Sequence, residues 1–295
     1  MTAPCVWTSL ALVLAAGAAN AAPHAEYLGR YELTEKLAFF GGFSGLEFSM
    51  DGASFTALSD SAALVSGRVS RDETGAVKDV VIAGPPLQLR DAKGALLAGD
   101  FDDAEGLAMA PDGRMFIAFE LEDRVDHYGV DGILSTVLPR PDGFSGFIYN
   151  SGPEALAIGP DSAIYAMPEG DAAGMAAIPV FRFLDGVWDQ PFRIASDGTW
   201  RPVGADFGPD GQLYLLERDF WPLLGFRSRI RRFAITADHT LAGEVLFVSQ
   251  AGRFGNLEGL SIWQDAGGGL RATAISDNNF LAIMESVFVD FAIRE

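Results

Sequence analysis

The chain has one cysteine, Cys5, and three histidines, His24, His127 and His239, in 295 residues. Cys5 lies inside an N-terminal apolar stretch, so the rest of the chain has no thiol for a disulfide, a nucleophile or a zinc site. Three scattered histidines argue against a Ser-His-Asp triad, and Gly42-Phe43-Ser44-Gly45 is not a Gly-x-Ser-x-Gly elbow. Basic residues are also scarce. Lys and Arg number 21 against 40 Asp and Glu, a net charge of −19. That balance argues against nucleic acid or an anionic membrane surface as partner and favours solubility and cations. No window shows a 3.6-residue apolar stripe, and no stretch after the N-terminal one is long and apolar enough to be a transmembrane helix.

The N-terminal stretch reads as an export signal. Residues 6–16 are apolar, Ala19-Asn20-Ala21 is a small-x-small cleavage site, and no Lys or Arg precedes it. Cleavage is expected after Ala21, leaving residues 22–295 as one domain in the periplasm or outside the cell. With no disulfides, stability must come from the core, and a monomer is expected.

What the chain does have is a repeat. Glu105-Gly106-Leu107…Asp112-Gly113 is a carboxylate, a short alternating apolar run and an Asp-Gly hairpin turn. The same arrangement starts at Ser44, Glu154, Val203 and Glu258, with the turn Asp seven residues on each time: Asp51, Asp161, Asp210 and Asp265. Starts at 44, 105, 154, 203 and 258 are 61, 49, 49 and 55 residues apart, and two more strand-like runs follow the hairpin in the first four units. Four strands at that period predict an all-β propeller of five four-stranded blades, with six as the alternative if a blade hides in the long first interval. The fifth unit is a strand short. Residues 27–33 supply the missing one, so the N-terminal strand is expected to close the ring on the last blade.

In a propeller the first strand of each blade lines the channel and the second runs back beside it. The start of the first and the end of the second therefore share one mouth. That puts Glu105, Glu154 and Glu258 there with Asp60, Glu120, Glu169, Glu217 and Asp277, eight carboxylates in all. Oxygen donors without Cys or a His cluster point to Ca²⁺, with Mg²⁺ or Mn²⁺ as lesser choices. Asn150, Asn256, Asn278 and Asn279 stand beside them and add neutral oxygens. The competing reading is that the carboxylates merely cap backbone N–H groups in tight loops. The fourth unit has Val203 in place of a carboxylate and adds Arg218, a candidate for binding an anionic substrate group, with Arg253 and Arg201 as weaker candidates. The alternating run Arg227-Ser228-Arg229-Ile230-Arg231-Arg232 reads as a solvated strand face.

The ordered series Phe-Ser-Gly-Leu (43–46), Asp-x-Glu-Gly-Leu (103–107), Asn-Ser-Gly-Pro-Glu-Ala-Leu (150–156), Leu-Leu-Glu-Arg-Asp-Phe (215–220), Asn-Leu-Glu-Gly-Leu (256–260) and Ile-Ser-Asp-Asn-Asn-Phe (275–280) resembles the phytase-like family labelled "esterase-like activity of phytase". The resemblance covers nearly all of the mature chain and implies an exported β-propeller hydrolase. In the true β-propeller phytases, acidic loops hold Ca²⁺ that bridges substrate phosphates and activates water. The expectation is thus a Ca²⁺-dependent hydrolase of a phosphoester or carboxylic ester, a small and possibly anionic substrate. Glu105, Glu154, Glu217 and Arg218 are the catalytic candidates. Glu105, Glu154, Glu258, Asp277, Asp60, Glu120 and Glu169 are the metal ligands, and Arg218, Arg253, Asn256 and Asn278 the substrate contacts. A Ca²⁺-dependent lactonase and a non-catalytic binding propeller are the alternatives.

Overall fold

Five sheets, each begun by one copy of the repeat, stand around a common axis in the computed structural model, which describes residues 22–35, 37–146, 152–170, 176–236, 239–281 and 283–295. The expected leader, 1–21, and Asn150 lie outside the described residues. In chain order the strands are β1 (His24–Leu33), β2 (Phe43–Phe48), β3 (Ser54–Ser59), β4 (Ala63–Arg71), β5 (Val77–Ile82), β6 (Leu87–Gln88), β7 (Ala104–Met109), β8 (Met115–Phe119), β9 (Arg124–Tyr128), β10 (Leu134–Val137) and β11 (Pro153–Ile158). They continue as β12 (Ile164–Pro168), β13 (Ala177–Leu184), β14 (Val187–Ala195), β15 (Arg201–Phe207), β16 (Leu213–Trp221), β17 (Gly225–Phe233), β18 (Thr240–Leu241), β19 (Glu244–Val248), β20 (Asn256–Gln264), β21 (Leu270–Asp277) and β22 (Ser286–Arg294).

The blades are β2–β5, β7–β10, β11–β14, then β15–β17 with β19, and finally β20–β22 with β1. The fold is a five-bladed propeller. The long first interval holds no sixth blade. The short β6 pairs with β4, single bridges join Arg90 to Leu96 and to Ile133, and a 3₁₀ turn spans Gly99–Phe101. The strand β18 adds to the edge of the third blade in parallel with β14.

Closure is as the sequence implies. The first strand runs antiparallel to the last, from His24 opposite Arg294 to Leu33 opposite Ser286, so β22 is paired on both sides and β1 is the outer strand of the last blade. Beside the seam, Asp290 is 1% exposed and receives Arg71 at 2.7 Å, the Thr273 hydroxyl at 2.7 Å and the Val77 N–H at 2.8 Å. The Arg71 guanidinium also stacks 4.0 Å over Trp263. A carboxylate buried this deeply is tolerated because every partner it needs is present.

The core lies in apolar layers between neighbouring blades, one of which joins Tyr214, Leu216 and Ile230 to Leu257, Leu260 and Phe291. At the centre the inner strands β2, β7, β11, β15 and β20 come so close that the second residue of each repeat must be small. A Cβ added to Gly106 would lie 2.4 Å from the Glu154 carbonyl oxygen, and one on Gly204 the same distance from that of Glu258. The glycine in the repeat is thus a packing requirement, met by Ala155 in the third blade.

Candidate active site at the acidic mouth

Each inner strand carries the same irregularity. Pairing slips by one residue between Phe43 and Gly45, Ala104 and Gly106, Pro153 and Ala155, Pro202 and Gly204, and Leu257 and Gly259. The unpaired residue is therefore Ser44, Glu105, Glu154, Val203 or Glu258, the first position of every repeat. A bulge re-aims the side chain it carries. Glu105, Glu154 and Glu258 line a cavity of about 420 Å³ at the mouth. Ser44 instead donates to the Ala104 carbonyl at 2.7 Å, tying the first blade to the second, and Val203 joins the core.

A second ring comes from the ends of the second strands. Beyond the last paired residues, Asp60 donates its N–H to Gly42, Glu120 to Asp103 and Glu169 to Gly152, while Asp277 stands opposite Asn256. In the fourth blade the residue in register is Arg218, opposite Arg201, and not Glu217. This corrects the assignment of Glu217 to the mouth. Successive side chains on a strand point to opposite faces, so a one-residue shift turns Glu217 away from the cavity. It is fully buried and held by Arg231 at 2.6 and 2.7 Å and by Arg229 at 2.8 Å. The arginine run is corrected with it: Arg229, Arg231 and Arg232 are buried, not solvated.

The ring therefore reads Asp60, Glu120, Glu169, Arg218, Asp277. Arg218 is engaged on several sides. Its Nη2 is 2.9 Å from Glu169 and 3.6 Å from Glu154, and its Nη1 contacts Glu258 and lies 3.4 Å from the Asn256 side-chain Oδ1. Among the described residues, no guanidinium is bonded to Glu105 or Glu120. Carboxylate oxygens of Asp103, Glu105 and Glu120 lie within 4.8 Å of one another, and so do those of Glu120 with the two Arg218 partners Glu154 and Glu169. Glu120, common to both groups, is 4% exposed, and its Oε1 is buried with no hydrogen-bond partner.

The model of the family described as phytase-like, "esterase-like activity of phytase", matches residues 38–280. The chain belongs to that family. No curated protein matches it. Among solved structures, this phytase-like chain is similar to a calcium-binding protein, regucalcin, from Agrobacterium tumefaciens, with a TM-score of 0.51 and 12% identity over 92% of this chain and 97% of that one. A virginiamycin B lyase from Staphylococcus aureus aligns with a TM-score of 0.43 and 12% identity over 91% of this chain and all of the other. The regucalcin likeness is one of fold.

The electrostatics of the phytase-like mouth follow from that layout. Burial, reinforced by Glu258, Glu154 and Asp103, pushes the Glu105 carboxyl well above the usual range. Burial with Asp103 and Glu169 nearby raises Glu120 to about 7, and burial with Asp277 and Asp103 nearby raises Asp60 to about 7. Burial lifts Glu258 to about 8 even though Arg218 pulls the other way. Burial alone would disfavour the Arg218 charge, but Glu154, Glu258 and Glu169 outweigh it and keep the guanidinium protonated.

Of the remaining expectations, Asn256 lines the cavity and donates to Glu258 at 2.7 Å. Asn278 and Arg253 are not among the cavity-lining residues. The Asn278 side chain caps the N–H groups of Gly42 at 2.9 Å and Phe280 at 3.1 Å, while Arg253 stacks on Tyr27 and Phe254. His127 lies against Phe116 in the second blade, with ring centroids 5.0 Å apart. Sequence reasoning assigned no role to Asp103, Thr199, Phe220 or Phe226. For Asp103 a signal existed, since it is a second carboxylate two residues before the repeat position Glu105.

Proposed function

We propose that the chain is an exported, divalent-cation-dependent hydrolase of small phosphoesters or carboxylic esters, with Ca²⁺ the best-fitting ion. The observation that carries this reading is Glu120: a buried carboxylate shared by two oxygen triads, with one oxygen unpartnered and no arginine bonded to it. A buried polar atom in that state calls for a ligand. Carboxylate oxygens alone suit a hard cation, which Ca²⁺ satisfies with six to eight oxygens, water included. The residues that would hold the ion are Asp103, Glu105, Glu120, Glu154 and Glu169.

When bound, such an ion polarises an ester oxygen and acidifies a water. The protein's own residues do the rest. Arg218 bonds Glu169 and Glu258 and lies 3.6 Å from Glu154, which fixes the orientation of all three, so its role is positioning. Arg201 contacts the Gly170 carbonyl and lies 3.9 Å from Glu169, so this second guanidinium also stands at the cavity wall. The Asp-Asp-Pro-Ala motif of the true phytases is absent, and phytate itself is not proposed as substrate.

The test is hydrolysis of p-nitrophenyl phosphate and p-nitrophenyl acetate by the metal-free protein before and after Ca²⁺. Turnover of either that appears with Ca²⁺ and disappears with chelator is expected. Tight Ca²⁺ binding without turnover on any ester would instead select the binding-propeller alternative.

A further inference from the structure

Among the described residues, the fourth blade differs from the others in how far its second strand runs. Strands β16 and β17 stay paired beyond the mouth, through Arg218 opposite Ser228, Phe220 opposite Phe226 and Trp221 opposite Gly225. Strand alternation puts Arg218 and Phe220 on one face of this hairpin, with Phe226 directly across from Phe220. Both rings line the cavity, 4.9 Å apart between centroids, and Phe220 is 56% exposed. The tip is apolar too, with Leu223 96% exposed and Leu224 58%. The hairpin is held upright from behind, where the Gly252 N–H donates to the Phe226 carbonyl at 2.8 Å. An aromatic wall open to solvent beside a cavity lined by seven carboxylates is costly unless something apolar covers it.

We propose that this hairpin is the specificity wall of the site, and that the site takes small anions joined to an apolar group, an aryl ring or a medium-length acyl chain. The apolar part lies against Phe220 and Phe226, and the anionic end points to the cavity floor. A cavity of about 420 Å³ has room for a molecule of that size and not for a folded segment. The inference rests on the reading that a divalent cation occupies the Glu120 side, because the carboxylates would otherwise repel the anion.

The experiment is calorimetric titration of the full chain, first with Ca²⁺ and then, in saturating Ca²⁺, with inorganic phosphate against phenyl phosphate and acetate against octanoate. Covering one ring or a short chain predicts that phenyl phosphate and octanoate bind about tenfold tighter than phosphate and acetate. Phe220→Ala, at an exposed position that should not disturb folding, should close most of that gap and leave Ca²⁺ affinity unchanged. Equal affinities in the native protein, or a gap that survives Phe220→Ala, would overturn the inference alone. Absence of Ca²⁺ binding in the first titration would overturn both this inference and the reading it rests on.

Discussion

Glu217 and Glu120 are both buried carboxylates near the ends of second strands, and their surroundings are opposite. Glu217 has no exposed surface and is clasped by Arg229 and Arg231, themselves buried. Glu120 is almost as buried, yet it shares its space with Asp103, Glu105, Glu154 and Glu169 and leaves an oxygen without a partner. Both arrangements put a charge where water cannot solvate it, which costs several kcal/mol unless compensated. One is compensated inside the chain. The other has no such compensation among the described residues, and that contrast separates a structural carboxylate from a candidate site.

The largest effect expected from breaking this contrast is at Glu217. Glu217→Ala leaves two buried guanidinium groups without their anion and should cost about 3–5 kcal/mol, read from urea unfolding. Arg218→Ala should come next, at about 2–3 kcal/mol, because it makes the Arg218 side of the mouth resemble the Glu120 side. Unlike the first loss, this one should shrink on adding Ca²⁺ or lowering the pH, and a loss insensitive to both would count against the polarised mouth. Gly106→Ala should cost about 1–3 kcal/mol, since the new methyl meets a backbone carbonyl that must shift.

A further effect is read as a slope in pH and not as a single loss. Asp60 and Glu120 titrate near 7 and Glu258 near 8 in the folded chain, against about 4 when unfolded. The folded state therefore holds protons that the unfolded state has released. Its stabilisation is full below about pH 4 and is lost as pH rises through about 7 to 8. The Tm of the metal-free protein should fall across that window, and Ca²⁺, which replaces those protons, should flatten the fall. An equal fall with and without Ca²⁺ would break the account.

The five-fold architecture was legible in the sequence because the turn Asp, the tight-packing glycine and the bulge residue recur at fixed spacing. Glu105, Glu154 and Glu258 were legible for the same reason, since a bulge repeated at one position is visible as a repeated residue. Glu217 was misplaced because nothing in Leu-Leu-Glu-Arg-Asp-Phe marks where the strand passes the mouth. In the other blades a carboxylate ends the second strand, whereas in the fourth the strand continues, and a one-residue error in register inverts the face. The arginine run misled for a related reason. Its charges look solvated until their partners Glu217, Asp197, Glu244 and Glu295 are brought in from elsewhere in the chain. The Phe220–Phe226 wall depends on pairing across the Pro222-Leu223-Leu224 turn and could not be read from either residue alone.

The most direct measurement is calorimetric titration of Ca²⁺ into the metal-free protein and into Glu120→Gln at neutral pH. The account predicts a saturable site in the native protein, weakened at least tenfold by Glu120→Gln, while the metal-free variant is as stable as the native protein or more so. Undiminished Ca²⁺ binding by Glu120→Gln, or no binding by the native protein, would contradict it.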